Sequence, residues 1–253
     1  MNQSVSKAIV LLDLFQNNEE LSLQEITNKT DIPKATAYRL LMTLESGQLL
    51  EKVKTSTHDS RYRLGLKWLQ FGELVSERLE LREVALPFME KLSEELNEVV
   101  HLVIVHRTEA IYIESVNSRR ALSLHTQVGK KTPLFAGSGP KLLLAFLPEK
   151  VQSNILSSSK LYTLSNKEPI DEASMRRELE MIKKNHFSLS ISEQDADTTG
   201  VSFPIFNYKD EVVAALAISG LSNRFQGEAL ENIKIKGAQM AKEISRRLGH
   251  KGM

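Results

Sequence analysis

Apolar side chains in the first 47 residues recur at the spacing of three successive helices. The first helix is predicted over about residues 5–17 by the stripe Val5, Ile9, Leu12 and Phe15. A second, short helix is predicted from Ser22, because Ser22 and Glu25 have the spacing of a capping box. Pro33 suits the first position of a third helix, and Gly47 is placed to end that helix in a left-handed conformation.

Two short strands and a longer helical pattern follow. Residues 49–53 and 61–64 flank the polar segment KTSTHDS, which is typical of a hairpin with a turn at its tip. A helical stripe over residues 66–81 predicts a connector to the rest of the chain. We therefore predict an N-terminal domain over residues 1–65, a linker helix over 66–81 and a second domain over 82–253.

The second domain alternates between helical and extended patterns. Helices are predicted at about residues 82–96, 141–147, 151–156, 174–185 and 227–248. Strands are predicted at 99–106, 110–116, 121–126, 187–192, 200–207 and 211–219, with a loop over 129–140. This order predicts a mixed α+β domain with a mostly antiparallel sheet.

Composition limits the classes of protein that fit this pattern. At 253 residues, with 41% apolar and 26% charged residues, the chain suits two modest globular domains. The absence of cysteine excludes disulfides, thiolate metal sites and a cysteine nucleophile, and it fits a reducing cytoplasm. Lys7 and Asp13 interrupt the N-terminal apolar run, so it lacks the pattern of a signal peptide. No apolar stretch approaches the roughly 18 residues of a membrane span, and we expect a cytoplasmic protein.

Three helices followed by a hairpin are typical of a winged helix-turn-helix, whose third helix enters the major groove of DNA. The exposed turn of that helix would present Lys34, Ala35, Thr36, Tyr38 and Arg39 to the bases. The hairpin would place Lys54, Thr55, His58, Arg61 and Arg63 near phosphates, which position a protein without specifying sequence. The net charge is only +1, but seven basic and four acidic residues lie between Lys29 and Arg63. DNA binding is therefore predicted to rest on this local excess of positive charge.

Two alternatives to DNA binding fit the same pattern. Three short helices and a hairpin also form plain helical domains, in which a modest charge excess is only a solvated surface. A sensor whose N-terminal helices bind another protein is a further class, and it predicts no affinity for DNA. Arg39 lies at the edge of the buried helix face, so it either contacts DNA or pairs with an acidic side chain.

The segment from Thr132 to Gly139 is the strongest candidate for a ligand site in the second domain. It is rich in glycine and serine and leads into a predicted helix. The first N–H groups of a helix favour an anion, so a carboxylate ligand would fit here. The alternative is that Gly137 and Gly139 only form a tight turn.

No pattern in the chain predicts an enzyme, a metal or a cofactor. Ser138 is not in a nucleophile elbow, because Ala136 stands where G-x-S-x-G requires glycine. His101 and His106 are five residues apart on one predicted strand, so their side chains point to opposite faces. An acidic cluster is formed by Glu193, Asp195 and Asp197. A solvated turn is favoured over a metal site for this cluster, because no histidine lies near it in sequence.

Three segments together resemble the IclR family of bacterial transcription regulators. The segment LSLQEITNKTDIPKATAYRLLMTLESGQLLEK, followed by RYRLG, is similar to the family's DNA-binding motif. The segments VGKKTPLFAGSGPKLLLAF and GVSFPIFNYKDEVVAALAISG are similar to a loop and paired strands of its effector domain. The resemblance implies a winged-helix domain, a linker helix and a GAF-like effector domain. It also implies a cytoplasmic repressor or activator, a homodimer or tetramer on an inverted repeat in double-stranded DNA, and a small organic acid as effector.

The resemblance further implies a set of effector-binding residues, in which the loop faces a carboxylate and two leucines form an apolar wall. They are Leu124, Leu134, Ala136, Gly137, Ser138, Gly139, Ser190, Gly200, Ala217 and Ser219. Ser190 stands where an acidic residue is common in the family, and Gly200 and Ala217 replace polar or larger groups. We therefore predict a pocket that is less polar or roomier than the usual one.

Overall fold

The computed structural model describes residues 2–16, 18–54, 60–76, 81–120 and 128–252. The chain divides into two compact units, Met1–Arg78 and Leu79–Met253. The first unit contains the helices α1 (Gln3–Asp13), α2 (Leu23–Lys29), α3 (Lys34–Ser46) and α4 (Lys67–Ser76) and the strands β1 (Leu21–Ser22), β2 (Leu50–Lys54) and β3 (Ser60–Leu64). The three predicted helices and the hairpin are confirmed, and the helix predicted as a linker begins in this unit.

One core joins the helices and the hairpin of the first unit. Leu11, Ile26 and Leu41 from α1, α2 and α3 are fully buried in it. Strands β1 and β2 both pair with β3 in antiparallel register. The predicted capping box is present, because the amide of Glu25 donates to Ser22 Oγ at 3.3 Å and the amide of Ser22 donates to the Glu25 carboxylate at 2.7 Å.

The two ends of α3 differ in detail from the prediction. Pro33 is the residue that caps the helix rather than its first helical residue. Gly47 has a φ of −80° and is not left-handed, whereas Gln48 has a φ of 61°. The amide of Leu49 donates to the carbonyl of Leu44 at 2.9 Å, which completes a Schellman motif around Gln48. Helix α3 therefore ends one residue later than the prediction of a left-handed Gly47 implies, and the left-handed residue is Gln48.

The start of α4 is fastened to the turn between α3 and β2. Trp68 Nε1 donates to the carbonyl oxygen of Leu49 at 2.8 Å, and the amide of Gly65 donates to the same oxygen at 3.0 Å. A β-carbon on Gly65 would lie 2.2 Å from the carbonyl oxygen of Gln48. Only glycine therefore permits this close approach of two backbone segments.

We expect Gly65→Ala to destabilise the first unit by about 1–3 kcal/mol, because the added carbon forces the two backbone segments apart. Gly47→Ala is a matched control, since its φ of −80° suits alanine and the nearest atom to an added β-carbon lies at 3.4 Å. Thermal unfolding followed by the fluorescence of Trp68 measures both variants. Equal stability of the two variants would contradict this explanation of Gly65.

The described residues of the second unit form one six-stranded sheet. Its helices are α5 (Leu81–Leu96), α6 (Ser138–Phe146), α7 (Glu149–Ser158), α8 (Glu172–Asn185) and α9 (Gly227–Arg247). Its strands are β4 (Val99–His106), β5 (Glu109–Val116), β6 (Lys131–Pro133), β7 (Ser188–Ile191), β8 (Thr198–Phe206) and β9 (Val212–Leu221). The order is β6-β5-β4-β9-β8-β7, and every neighbouring pair is antiparallel. The predicted α+β class with an antiparallel sheet is confirmed.

The segment predicted as a loop over residues 129–140 is more regular than expected. Residues 131–133 pair with β5, and α6 begins at Ser138 instead of Lys141. Pro140 lies in the first turn of α6, where proline is tolerated because its missing N–H has no intrahelical acceptor. The strand predicted at 121–126 lies outside the described residues.

Helices cover both faces of this sheet. Helices α6, α7 and α8 pack on one face, and α5 and α9 pack on the other. Along β4 the side chains alternate accordingly, so that Val103 joins the first core and Val100 and Leu102 join the second. Because His101 has the same parity as Val103, it faces the N-terminal end of α6, where it lines a cavity.

Candidate DNA-binding surface and ligand pocket

Helix α3 has one face in the core and one in solvent. Ala37 and Leu41 are fully buried. The opposite face carries Lys34, Ala35, Tyr38 and Arg39, which are exposed, and Thr36, which is half-buried. Neither Lys34 nor Arg39 forms an ion pair with any described residue. The pairing considered for Arg39 is therefore absent from the described part of the chain, and its guanidinium faces solvent.

Arg61, which the sequence predicts to contact phosphate, pairs with Glu25 inside the domain. Its Nη2 donates to the two carboxylate oxygens of Glu25 at 2.7 and 2.9 Å. Hydrogen bonds from Ser22, then from Arg61, lower the pKa of Glu25 to about 2, so this carboxylate stays ionised and holds both partners. Arg61 thus ties β3 to the start of α2, and a phosphate would have to compete with Glu25 for it.

The other predicted hairpin residues have different placements. Arg63 pairs with Glu51 across β2 and β3 at 3.0 Å, and both side chains are about half exposed. Such an exposed pair contributes little to stability, so Arg63 remains accessible to another anion. Lys54 ends β2, but its side chain is outside the described structure, as are Thr55 and His58 altogether.

A cavity of about 30 Å³ lies between the start of α6 and the strands of the sheet. Six of the ten predicted effector residues line it: Gly137, Ser138, Ser190, Gly200, Ala217 and Ser219. The remaining lining residues are His101, Tyr112, Gln194, Asp195, Thr198 and Thr199. Residues from β4, β5, β7, β8, β9 and the segment between β7 and β8 therefore meet at the N-terminal end of α6.

The other four predicted effector residues do not line this cavity. Leu134 is fully buried and lines a separate cavity of about 540 Å³ beside α7. The carbonyl oxygen of Ala136 accepts a hydrogen bond from Nε2 of the lining residue Gln194 at 2.9 Å. Gly139 packs behind the cavity, since a β-carbon there would lie 3.2 Å from a side chain of β4. Leu124 is outside the described residues.

The cavity is small and its lining is polar, whereas the prediction of a pocket less polar or roomier than is usual in the family stays a prediction. Serine and threonine hydroxyls dominate the lining, and about 30 Å³ is room for one or two water molecules. Gln194 accounts for the small volume, because its amide lies across the cavity. Gln194 Oε1 accepts from the hydroxyl of Tyr112 at 3.1 Å, and a β-carbon on Gly137 would lie 2.3 Å from Gln194 Nε2.

Sequence reasoning missed His101, Tyr112 and Gln194 as members of this site. His101 carried a usable signal, because it is the one polar residue within the apolar run VVHLVIV. Burial lowers the pKa of His101 to about 4, with a smaller contribution from Lys130, so the imidazole is neutral near pH 7. Burial also raises the pKa of Tyr112 to about 12.

The N-terminus of α6 already holds a carboxylate from the chain itself. The amide of Gly137 donates to Glu193 Oε2 at 2.9 Å, and Glu193 Oε1 lies 2.5 Å from Lys141 Nζ. Lys141 is 1% exposed and also lies 2.5 Å from Glu178 Oε1. Glu193 therefore belongs to a buried ion-pair network rather than to the acidic cluster in which it was predicted.

Comparison with known proteins agrees with this architecture over both units. The model of the IclR helix-turn-helix domain matches residues 4–54, and the model of the bacterial transcriptional regulator IclR C-terminal domain matches residues 74–246. The HTH-type transcriptional regulator KipR of Bacillus subtilis is 32% identical over 249 residues, which are 98% of each chain. The chain belongs to the IclR family. It is a DNA-binding transcriptional regulator, as its IclR relatives are.

Crystal structures of IclR proteins share the fold. A putative IclR transcriptional regulator from a Silicibacter species has a TM-score of 0.85 at 23% identity, over 99% of this chain and 97% of that one. An IclR homologue from Microbacterium hydrocarbonoxydans, complexed with 4-hydroxybenzoate, has a TM-score of 0.62 at 23% identity, over 97% of this chain and 99% of that one.

Within the described ranges, no group of three or more His, Asp and Glu side chains is arranged to hold a metal ion. No helix in the same ranges is long and apolar enough to cross a membrane. The IclR relatives are transcriptional regulators, which are not enzymes.

Proposed function

We propose that this IclR regulator recognises a specific operator through α3 and that a small carboxylate bound in the C-terminal pocket changes its affinity for that operator. The observation that carries the first part is the outward face of α3. Lys34 and Arg39 are exposed there without ionic partners among the described residues, next to the half-buried Thr36. Arg63 supports contacts to phosphate from the hairpin, and Arg61 is omitted because Glu25 holds it.

The operator we propose is an inverted repeat that a homodimer binds, with one α3 in each half-site. Exposed apolar side chains in the first unit support a partner surface. They are Val5, Ile9 and Val10 on α1, Leu66 before α4, and Leu69, Phe71 and Leu74 on α4. Exposed apolar surface of this extent marks an interaction site on many proteins. A tetramer on two such repeats is the alternative assembly, and binding to chromosomal DNA implies a cytoplasmic location.

The effector we propose is a small organic acid in the pocket at the start of α6. Five serine and threonine side chains, together with N–H groups at the start of α6, offer hydrogen-bond donors to a carboxylate. The Microbacterium homologue was crystallised with 4-hydroxybenzoate, which is also a carboxylate. Coupling between such a ligand and DNA is typically worth about 1–3 kcal/mol.

Fluorescence anisotropy tests the operator proposal. Labelled DNA from upstream of the gene is compared with a scrambled duplex at about 50 and 200 mM salt, and tight binding to the upstream DNA alone is expected to weaken as salt rises. Thr36→Ala should reduce the preference for the upstream DNA, whereas Lys54→Gln should weaken both duplexes equally. Equal losses on both duplexes for both variants would refute this division of roles. No binding of wild-type protein to either duplex would favour a sensor that binds another protein.

A further inference from the structure

His101 is a buried polar side chain that has no hydrogen-bond partner among the described residues. It is 1% exposed on β4, and its ring lies edge-on to the ring of Tyr112 with 5.3 Å between the centroids. Its Nδ1 is enclosed and unpaired, and no described residue hydrogen-bonds to either ring nitrogen. The side chain lines the pocket at the start of α6. A buried imidazole that faces a cavity with both nitrogens unsatisfied points to a ligand that completes its hydrogen bonds.

The charged and titratable groups around His101 leave it neutral. Among the described residues, Tyr112 on β5 contacts its ring, Lys130 before β6 acts on it electrostatically, and Asp195 lines the same pocket, while the Glu193–Lys141 pair lies at the start of α6. Burial and then Lys130 lower the pKa of His101 to about 4, while burial raises the pKa of Tyr112 to about 12. Both rings are therefore uncharged near neutral pH.

The pocket also lacks a cation of its own. Among the described residues that line it there is no lysine and no arginine, and the one acidic residue is Asp195. Lys141, the nearest buried cation to the start of α6, is already paired with two glutamates. A carboxylate that enters this pocket as an anion would meet hydroxyl and amide dipoles but no positive charge.

We propose that the effector carboxylate enters this pocket together with one proton and that the proton resides on His101. This inference rests on the proposed function, since it concerns the same effector site. A carboxylate within hydrogen-bonding distance stabilises the imidazolium form, and the pair then shares a charge-assisted hydrogen bond. The carboxylate and the proton together carry no net charge, so the net charge of the pocket does not change on binding. The free-energy cost of desolvating an unpaired anion is therefore avoided.

The proton linkage has a definite sign. The pKa of His101 is about 4 in the free protein and is raised in the complex. Between those two values effector binding takes up a proton, so the affinity increases as the pH falls, by up to about tenfold per pH unit. An uncharged amide of the same acid provides no partner for the imidazolium, and its affinity should not change with pH.

Histidine NMR of the whole chain tests this inference with acetate as the probe, since acetamide is an uncharged counterpart of nearly the same size. The protein contains six histidines, labelled at Cε1, and His101→Gln assigns the His101 signal. Spectra are recorded between about pH 5 and 8 in sodium acetate, in sodium chloride of equal ionic strength, and in sodium chloride with acetamide. The signal of His106, which is exposed at the end of the same strand, is the internal reference for salt effects.

We expect the His101 signal to stay that of neutral imidazole in chloride and with acetamide, and to titrate within this range in acetate. Lys130→Gln should raise the pKa of His101 in chloride and so reduce the shift that acetate causes, because it removes the neighbouring cation. Perturbation of the Gly137 and Ser138 amides by acetate, with His101 still neutral, would overturn the inference. Absence of any acetate effect on the pocket would overturn it as well. Operator binding is measured separately by anisotropy, so failure here is distinguishable from failure of the DNA-binding proposal.

Discussion

Replacing Glu178 and Glu193 together by alanine is expected to destabilise the second unit by about 3 kcal/mol, because the amine of Lys141 is then buried without a counter-ion. Lys141 is 1% exposed, and its Nζ lies 2.5 Å from a carboxylate oxygen of each glutamate. Its remaining contact is the carbonyl oxygen of Leu189 at 3.4 Å. The expected loss of stability is at the lower end of the range for broken buried ion pairs. Glu178 is 39% exposed, so water screens part of its interaction with Lys141.

The matched control is Lys141→Met in the same double-alanine background. It removes the stranded charge and keeps a long apolar side chain in the core, so most of the lost stability should return. Urea unfolding followed by far-ultraviolet circular dichroism gives the free energy of unfolding of each variant. If the triple variant is no more stable than the double variant, the charge of Lys141 is not the source of the loss.

Replacing Leu66 and Leu69 together by aspartate is expected to reduce affinity for a full inverted-repeat operator by about 100-fold or more. These side chains are 76% and 70% exposed, so the fold of the first unit gains little from them. Negative charge there should separate the proposed dimer, and the linkage of two half-site contacts, which contributes factors of about 100 to 10,000, would be lost. Analytical ultracentrifugation measures the assembly, and anisotropy measures the affinity.

Two comparisons separate loss of the dimer from damage to the DNA-binding face. Affinity for a single half-site should be unchanged in the double-aspartate variant, because α3 is not altered. Tyr208→Asp is the matched control, since Tyr208 is 56% exposed in the turn between β8 and β9 of the second unit. Unchanged assembly and operator affinity in the double-aspartate variant would refute the proposed partner surface.

The sequence predicted the elements whose signals are local. The capping box of Ser22 and Glu25 and the hairpin strands were found because each depends on residues close together in the chain. The left-handed position after α3 was predicted at Gly47 and is at Gln48, because glycine is favoured there but the hydrogen bond from Leu49 to Leu44 decides the position. Such an error of one residue is typical of helix ends, where tertiary contacts select among similar local solutions.

The site was harder to predict than the fold, because its chemistry depends on contacts between distant segments. The family resemblance named glycines and serines of the loop and strands that line one cavity in the structure, and their role in effector binding stays a prediction. That Glu25 would hold Arg61, 36 residues away, and that Gln194 would lie across to Tyr112, 82 residues away, could not be derived from spacing. His101 was assessed only as a metal ligand, although a lone polar residue in a buried strand also indicates a binding pocket.

The hydrogen bond between the indole of Trp68 and Leu49 gives the protein an intrinsic optical probe. Trp68 is the single tryptophan of the chain, and it lies at the first turn of α4, where that helix joins the hairpin domain. Fluorescence excited at tryptophan wavelengths therefore reports on the surroundings of Trp68 alone. The pocket contains no tryptophan that would add to this emission. A shift of the emission maximum of Trp68 when an organic acid is added would show, without a label, that ligand binding changes the structure of the DNA-binding unit.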